Sequence, residues 1–128
     1  MPRTANDSDV LCVEDDPDIA RILQLMIEAT PGRRALVARD GASALKLLDR
    51  GDVGLALVDL GLPDLDGVDL VREIHRRAPQ TRIVVITAYH ERRGEAIAAG
   101  ASAFLGKPFD PEQIVALVER HERNGMDH

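Results

Sequence analysis

A chain of 128 residues, 45% hydrophobic and 30% charged, has room for one domain around one core, which excludes a disordered or fibrous polypeptide. Its net charge of −6 sets an unfavourable field for sequence-independent contact with nucleic acid, and with no Trp, one Tyr and two Phe it has almost no surface on which bases or flavins stack. Its apolar runs are strand-sized, far short of the ~20 residues that cross a bilayer, and Met1 to Asp9 is too polar for a signal peptide, so a cytoplasmic protein without membrane contact is expected.

Apolar runs alternate with amphipathic segments along the chain. Val10–Val13 is the first run and contains the lone cysteine, Cys12, which reads as a small buried core residue with no partner for an internal disulfide. Ile19, Ile22, Leu23, Met26 and Ile27 follow at i, i+3, i+4, i+7 and i+8, one face of a helix. Ala35–Ala38 is the second run, and Leu45 and Leu48 mark a second helix. Leu55–Val58 precedes a third helix, marked by Leu70, Val71 and Ile74. Ile83–Ile86 precedes an Ala-rich fourth helix from about Glu91 to Ala99. Ala103–Leu105 precedes a fifth, marked by Ile114, Leu117 and Val118.

Punctuation agrees with these elements. Pro17 and Pro111 sit at helix starts, where a missing N–H is harmless. Gly32, Gly51 and Gly100 follow helix ends, where a left-handed residue is often needed, and Pro79 closes the third helix. Continuous apolar runs suit strands buried on both faces. The pattern is an α/β fold, (βα)₅, with a parallel, doubly wound sheet and helices on both sides. Residues 1–8 and 122–128 are expected as polar tails around a single domain, 9–121.

Ligands of such sheets bind beyond the carboxyl ends of the strands. Glu14, Asp15 and Asp16 follow the first run, Asp59 the third, Thr87 the fourth and, past Gly106, Lys107 the fifth. Arg39 and Asp40 follow the second; on an edge strand they would lie away from the cleft. Converging carboxylates repel one another and need a cation, and hard oxygen ligands suit Mg²⁺. An Asp there can attack phosphorus, while a Thr hydroxyl and a Lys ammonium can hold phosphoryl oxygens. Each residue alone has a plainer explanation. Asp15 or Asp16 can be a helix cap, and Asp16, just before Pro17, reads as one. Thr87 can be an ordinary strand-end Thr, and Lys107 a surface lysine. The combination is what points to a site.

These residues resemble the response-regulator receiver family of two-component signalling, in its chemotaxis-receiver-like form, over about Asp9 to His121. Val10-Leu11-Cys12-Val13-Glu14-Asp15-Asp16-Pro17 is similar to the first strand and acidic cluster. Leu57-Val58-Asp59-Leu60-Gly61-Leu62-Pro63-Asp64-Leu65-Asp66-Gly67 resembles the phosphoacceptor segment. Ile86-Thr87-Ala88, then Gly100-Ala101 and Phe104-Leu105-Gly106-Lys107-Pro108-Phe109, resemble the remaining motifs. The resemblance implies a flavodoxin-like strand order, 2-1-3-4-5. It implies Asp59 as phosphorylated carboxylate, with Lys107 and Thr87 completing the catalytic set. It implies Mg²⁺ held by Glu14, Asp15, Asp59 and the Gly61 carbonyl, Glu14 acting through a water. Thr87 and Phe104 would be switch residues, and the peptide before Pro108 the family's special, often cis, bond.

Three positions depart from the usual pattern: Glu14 replaces the commoner Asp, Phe104 lacks a Tyr hydroxyl, and Gly106 is expected to loosen the backbone before Lys107. The implied partners are a histidine kinase or phosphotransfer protein, and an output protein or a missing C-terminal effector domain. A phosphorylation-dependent homodimer is also implied. Direct nucleic-acid binding is not expected, since Arg33–Arg34, Arg76–Arg77 and Arg92–Arg93 lie on separate segments. The competing readings are less well served. A haloacid-dehalogenase-like phosphatase wants an acid where Gly61 stands. A flavodoxin-like cofactor binder wants a phosphate loop where Glu14-Asp15-Asp16 would repel one. A receiver fold used only for protein interaction remains as the alternative.

Overall fold

The structure, a computed structural model, describes residues 8–50 and 52–126. Five strands and five helices alternate: β1 (Ser8–Val13), α1 (Pro17–Glu28), β2 (Arg33–Ala38), α2 (Gly41–Arg50), β3 (Val53–Val58), α3 (Gly67–Arg77), β4 (Arg82–Thr87), α4 (Arg93–Ala99), β5 (Ala103–Gly106) and α5 (Pro111–Met126). A short 3₁₀ turn, His90–Arg92, leads into α4. The strands form one sheet in the order β2-β1-β3-β4-β5, and every neighbouring pair is parallel.

The continuous apolar runs are explained by this sheet. Alternate residues of one strand point to opposite faces, and here both faces are covered. Leu11, Val13, Ala56, Val58, Ile83 and Val85 pack with Leu48, Leu70, Val71, Ile74 and Ala96 of α2, α3 and α4. Val10, Cys12, Leu55, Leu57, Val84 and Ile86 pack with Leu23 and Ile27 of α1 and Ile114 and Val118 of α5. Each large aliphatic side chain taken from water contributes roughly 1.5–3 kcal/mol before entropy is counted. Among the described residues no helix is long and apolar enough to cross a membrane.

Helix starts follow their local chemistry. The Asp16 carboxylate accepts from the Asp18 and Ile19 amides at 2.9 and 3.3 Å, with Pro17 as the first helical residue. Gly32 and Gly100 take φ of 81° and 125°, a region L side chains rarely adopt; Gly51 lies outside the described residues.

The structure departs from the sequence reading in several places. Ile22 is 41% exposed rather than buried on the inner face of α1, because Ala20, Leu23 and Ile27 fill that face. The fourth helix begins only at Arg93, because the preceding residues tighten into a 3₁₀ turn and no side chain caps its start. Ser8 already pairs with Arg33 in the sheet, the rest of the expected N-terminal tail lies outside the described residues, and α5 continues to Met126.

Candidate functional site

The carboxyl ends of β1, β3, β4 and β5 meet at one rim. The ladder continues past the strands: the Glu14 amide donates to the Ala38 carbonyl and the Asp59 amide to the Val13 carbonyl, each at 3.0 Å, and the Lys107 amide donates to the Thr87 carbonyl at 2.9 Å. Those bonds set Glu14, Asp59, Thr87 and Lys107 side by side. Together with Asp15, Asp16, Gly61, Ala88 and Tyr89 they line a cleft of about 310 Å³.

Oxygens of Glu14, Asp15 and Asp59 lie within 4.8 Å of one another. Glu14 is 1% exposed and Asp59 8%, whereas Asp15 faces solvent. The Lys107 ammonium donates to Glu14 Oε1 at 2.7 Å and to Asp59 Oδ2 at 3.0 Å. The Gly61 amide donates to Asp59 Oδ1 at 3.2 Å, and the Asp16 amide to Glu14 Oε2 at 3.2 Å. Thr87 is fully buried, its hydroxyl accepting from the Tyr89 amide at 3.2 Å. The peptide between Lys107 and Pro108 is cis. Phe104 is half-buried and packs against the core beside α3 and α4.

Burial dominates the Glu14 carboxyl and, with the Asp59 charge beside it, raises it to about 7 against the pull of the Lys107 hydrogen bond. Burial also works against the Lys107 cation, but its hydrogen bonds to Glu14 and Asp59 outweigh that and hold its titration above the ordinary lysine value. Desolvation and the Glu14 charge push the Cys12 thiol to about 12, so it stays protonated and inert. One ammonium therefore faces three carboxylates. A compact, hard, anionic donor set of this kind fits a divalent cation such as Mg²⁺, with Glu14, Asp15 and Asp59 as the residues to hold it.

Several neighbours were not legible as site residues. Arg39, expected to lie away from the cleft, donates through Nε and a second nitrogen to the Asp15 carbonyl, the Nε bond being 3.1 Å. The register explains it: Ala38 stands opposite Val13, so Arg39 is level with the acidic loop. Tyr89 lies across Gly61, where an added Cβ would meet its ring at 3.3 Å. Asp64 accepts from the Gly41 and Ala42 amides at 2.8 and 3.0 Å, which caps α2 from a distant loop. Asp66 caps α3 through the Val68 amide and takes a two-pronged contact from Arg92 at 3.0 and 2.9 Å.

Gly106 does not loosen the backbone, since its φ is not positive; it makes room for the His90 ring, which a Cβ there would strike. Beside the cleft, Ile19, Ile22, Ala88, Pro108, Phe109 and Pro111 line an apolar groove that shares Lys107 with it.

Residues 10–119 match the family model of the response regulator receiver domain. The chain is 42% identical over 113 residues to the response regulator protein PilR of Pseudomonas aeruginosa, a match covering 84% of this chain and 24% of PilR. It thus spans about a quarter of that relative's length. Among solved structures it is similar to a CheY-like receiver domain protein from Methanospirillum hungatei, at 27% identity and a TM-score of 0.80, covering 92% of this chain and 98% of the other. It is also similar to the BeF₃-activated receiver domain of DrrB, a Thermotoga maritima protein, at 25% identity and a TM-score of 0.83, covering 91% and 98%.

Proposed function

Because the chain belongs to the response regulator receiver domain family, we propose that it is a Mg²⁺-dependent switch whose Asp59 accepts a phosphoryl group from a histidine kinase or phosphotransfer protein. Receiver domains are signalling modules rather than classical enzymes. The observation that carries this reading is the Lys107 ammonium bridging Glu14 and Asp59 at 2.7 and 3.0 Å in a cleft with a third carboxylate.

An Asp59 oxygen attacks phosphorus of the donor phosphohistidine, the P–N bond breaks, and an acyl phosphate forms on Asp59 while the imidazole leaves. The charge carried by the transferred group is dispersed over its outer oxygens, so positioning and neutralisation supply most of the catalysis. Bound Mg²⁺ would supply charge neutralisation beside those oxygens. Lys107 stays with the modified carboxylate as a charge-assisted donor. Thr87 turns its hydroxyl to donate to a phosphoryl oxygen. Water that later attacks phosphorus within the same site breaks the bond to the Asp59 oxygen, releases inorganic phosphate and restores the free carboxylate.

The apolar groove formed by Ile19, Ile22 and Phe109 gives the donor protein a seat next to Asp59. Drawing Thr87 and Lys107 together shifts a pre-existing equilibrium at α4, β5 and α5, around Phe104, which an output protein or a C-terminal effector domain reads. A phosphorylation-dependent homodimer through that face belongs to the same proposal, as do a cytoplasmic location and the absence of direct DNA contact by this chain.

Intact-protein mass spectrometry after incubation with Mg²⁺ and acetyl phosphate tests the reading. A phosphoryl adduct is expected on the wild type and none on Asp59→Asn. Adduct on the variant would move the acceptor elsewhere. No adduct on either would leave a receiver fold that works as an interaction module alone.

A further inference from the structure

The β4–α4 connection carries a histidine that the acidic cleft does not use. His90 opens the 3₁₀ turn, and its ring covers Gly106 on β5. A Cβ at position 106 would stand 2.2 Å from the imidazole Cε1, 2.9 Å from Nδ1 and 3.1 Å from Nε2. Carbon atoms pack at about 3.5–4.0 Å, so this ring and a side chain at 106 exclude each other. Among the described residues only Gly32 and Gly100 have positive φ, so Gly106 is there for space.

The same ring meets Phe104 edge-on, with centroids 6.1 Å apart and planes at 62°, a favoured aromatic geometry. Its Nε2 lies 3.4 Å from the Lys107 carbonyl, which accepts when that nitrogen carries the proton. One side chain therefore touches the strand that bears the switch aromatic and the lysine of the cleft. In the chain it stands three residues after Thr87, whose hydroxyl accepts from the Tyr89 amide. The His90 amide in turn donates to the Ala88 carbonyl at 3.1 Å, so Thr87 to His90 form one tightly wound segment.

We propose that His90 is a positioning residue: its ring latches the β4–α4 connection onto β5 while Asp59 is unmodified, and the turn of Thr87 towards a phosphorylated Asp59 lifts it off Gly106 and Phe104. This rests on the phosphoacceptor reading above. A Thr87 hydroxyl that swings to a phosphoryl oxygen gives up the Tyr89 amide, and the released segment carries His90 with it. The hydrogen bond is long and the ring exposed, so the latch opens for a modest coupling rather than a large one. The glycine at 106 is then the seat of the latch.

Gly106→Ala evicts the ring without threatening the strand, because the three atoms nearest the new methyl all belong to the His90 imidazole, which is free to swing outward. His90→Ala removes the ring and leaves the strand untouched. Two readouts are taken on wild type, both single variants and the double variant. The first is the backbone amide spectrum without any phosphoryl donor. The second is the apparent affinity for beryllofluoride with Mg²⁺, which rises with the population of the active arrangement.

Each single variant is expected to move the α4 and β5 amides towards their beryllofluoride-bound positions and to tighten apparent binding on the order of 5-fold. The double variant is expected to match His90→Ala alone. Gly106→Ala indistinguishable from wild type in both readouts, or a Gly106→Ala effect that persists in full without His90, would overturn the latch. A wild type that takes up neither beryllofluoride nor phosphoryl would overturn the functional reading and the latch with it, whereas failure of the latch alone leaves wild-type beryllofluoride binding intact.

Discussion

Glycine-to-alanine substitutions at positions 67 and 94 are expected to change stability in opposite directions. Gly67 opens α3, and a Cβ there would stand 2.3 Å from the Leu60 Cα, 2.8 Å from the Leu60 carbonyl oxygen and 2.9 Å from that of Asp59. All three are backbone atoms, so no side chain can step aside. Reaching ordinary contact needs the chain to open by about 1 Å, and such overpacking costs roughly 1–3 kcal/mol. The Gly67 amide also donates to the Leu60 carbonyl at 3.2 Å, and losing that bond adds about 1 kcal/mol. A fall of roughly 10 °C in Tm follows at about 4 °C per kcal/mol for a domain of this size.

The strained backbone is that of Asp59 and Leu60, so Mg²⁺ affinity should fall as well. Gly94 lies in α4, and apart from its chain neighbours and its own helix backbone nothing stands within 4 Å of its would-be Cβ, so alanine there should gain about 0.5–1 kcal/mol from helix propensity. Thermal melts and Mg²⁺ calorimetry on both variants check this. A Gly67→Ala protein as stable and as metal-competent as wild type would refute the claim that α3 is seated directly on the Asp59–Leu60 backbone.

Asp15→Ala should weaken Mg²⁺ binding far more than Asp16→Ala, which should instead lower Tm through loss of the α1 cap, by about 1 kcal/mol; equal calorimetric losses would mean the cleft is wrongly assigned. The Glu14 carboxyl titrates near 7 in the folded protein against an ordinary 4.5. An acid raised by folding stabilises the folded state while protonated, so without metal that contribution is lost as pH rises from 4.5 through 7. Mg²⁺ affinity should rise over the upper part of the same window as the proton leaves, and Glu14→Gln should flatten both profiles in melts and titrations. Lys107→Ala should still accept phosphate from acetyl phosphate, slowly, but the amide shifts near Phe104 should vanish; wild-type shifts in the variant would deny the coupling role. Ile22→Glu should slow transfer from a phosphohistidine protein while leaving acetyl phosphate chemistry unchanged; equal slowing of both would remove the apolar groove as the donor's seat.

What the sequence exposes and what it hides follow from one physical distinction. Glu14, Asp59, Thr87 and Lys107 are each the first polar groups after a run of apolar residues, or stand one glycine beyond it. A strand end is a local signal, and parallel strands all end at the same rim. The strands themselves are legible because burial on both faces leaves no polar alternation. Arg39, Tyr89 and Arg92 are hidden because their contacts depend on the path of loops and on strand register: Arg39 meets a carbonyl 24 residues away, and Arg92 a carboxylate 26 away. Gly106 is misread for the same reason, since a glycine needed for space and one needed for backbone freedom look alike until the neighbouring ring is placed. Ile22 fits the helical period, but periodicity gives the direction of a face and not where that face runs out of core.

The loop that follows Asp59 is fastened by its own carboxylates. Asp64 grips the first amides of α2, and Asp66 grips the first turn of α3 and the Arg92 guanidinium. Leu65, between them, fills the space over Gly41 so closely that a methyl there would stand 2.5 Å from it. The stretch from Gly61 to Gly67 is thus braced to α2, to α3 and to the end of the 3₁₀ turn before α4, whereas the facing stretch from Ala88 to His90 is held by one hydroxyl, two rings and a long hydrogen bond. The cleft has a fixed jaw and a hinged jaw. Asp59 adjoins the fixed one, so on the proposed function a phosphoryl group added there would leave that side in place and channel displacement into the other jaw, towards α4.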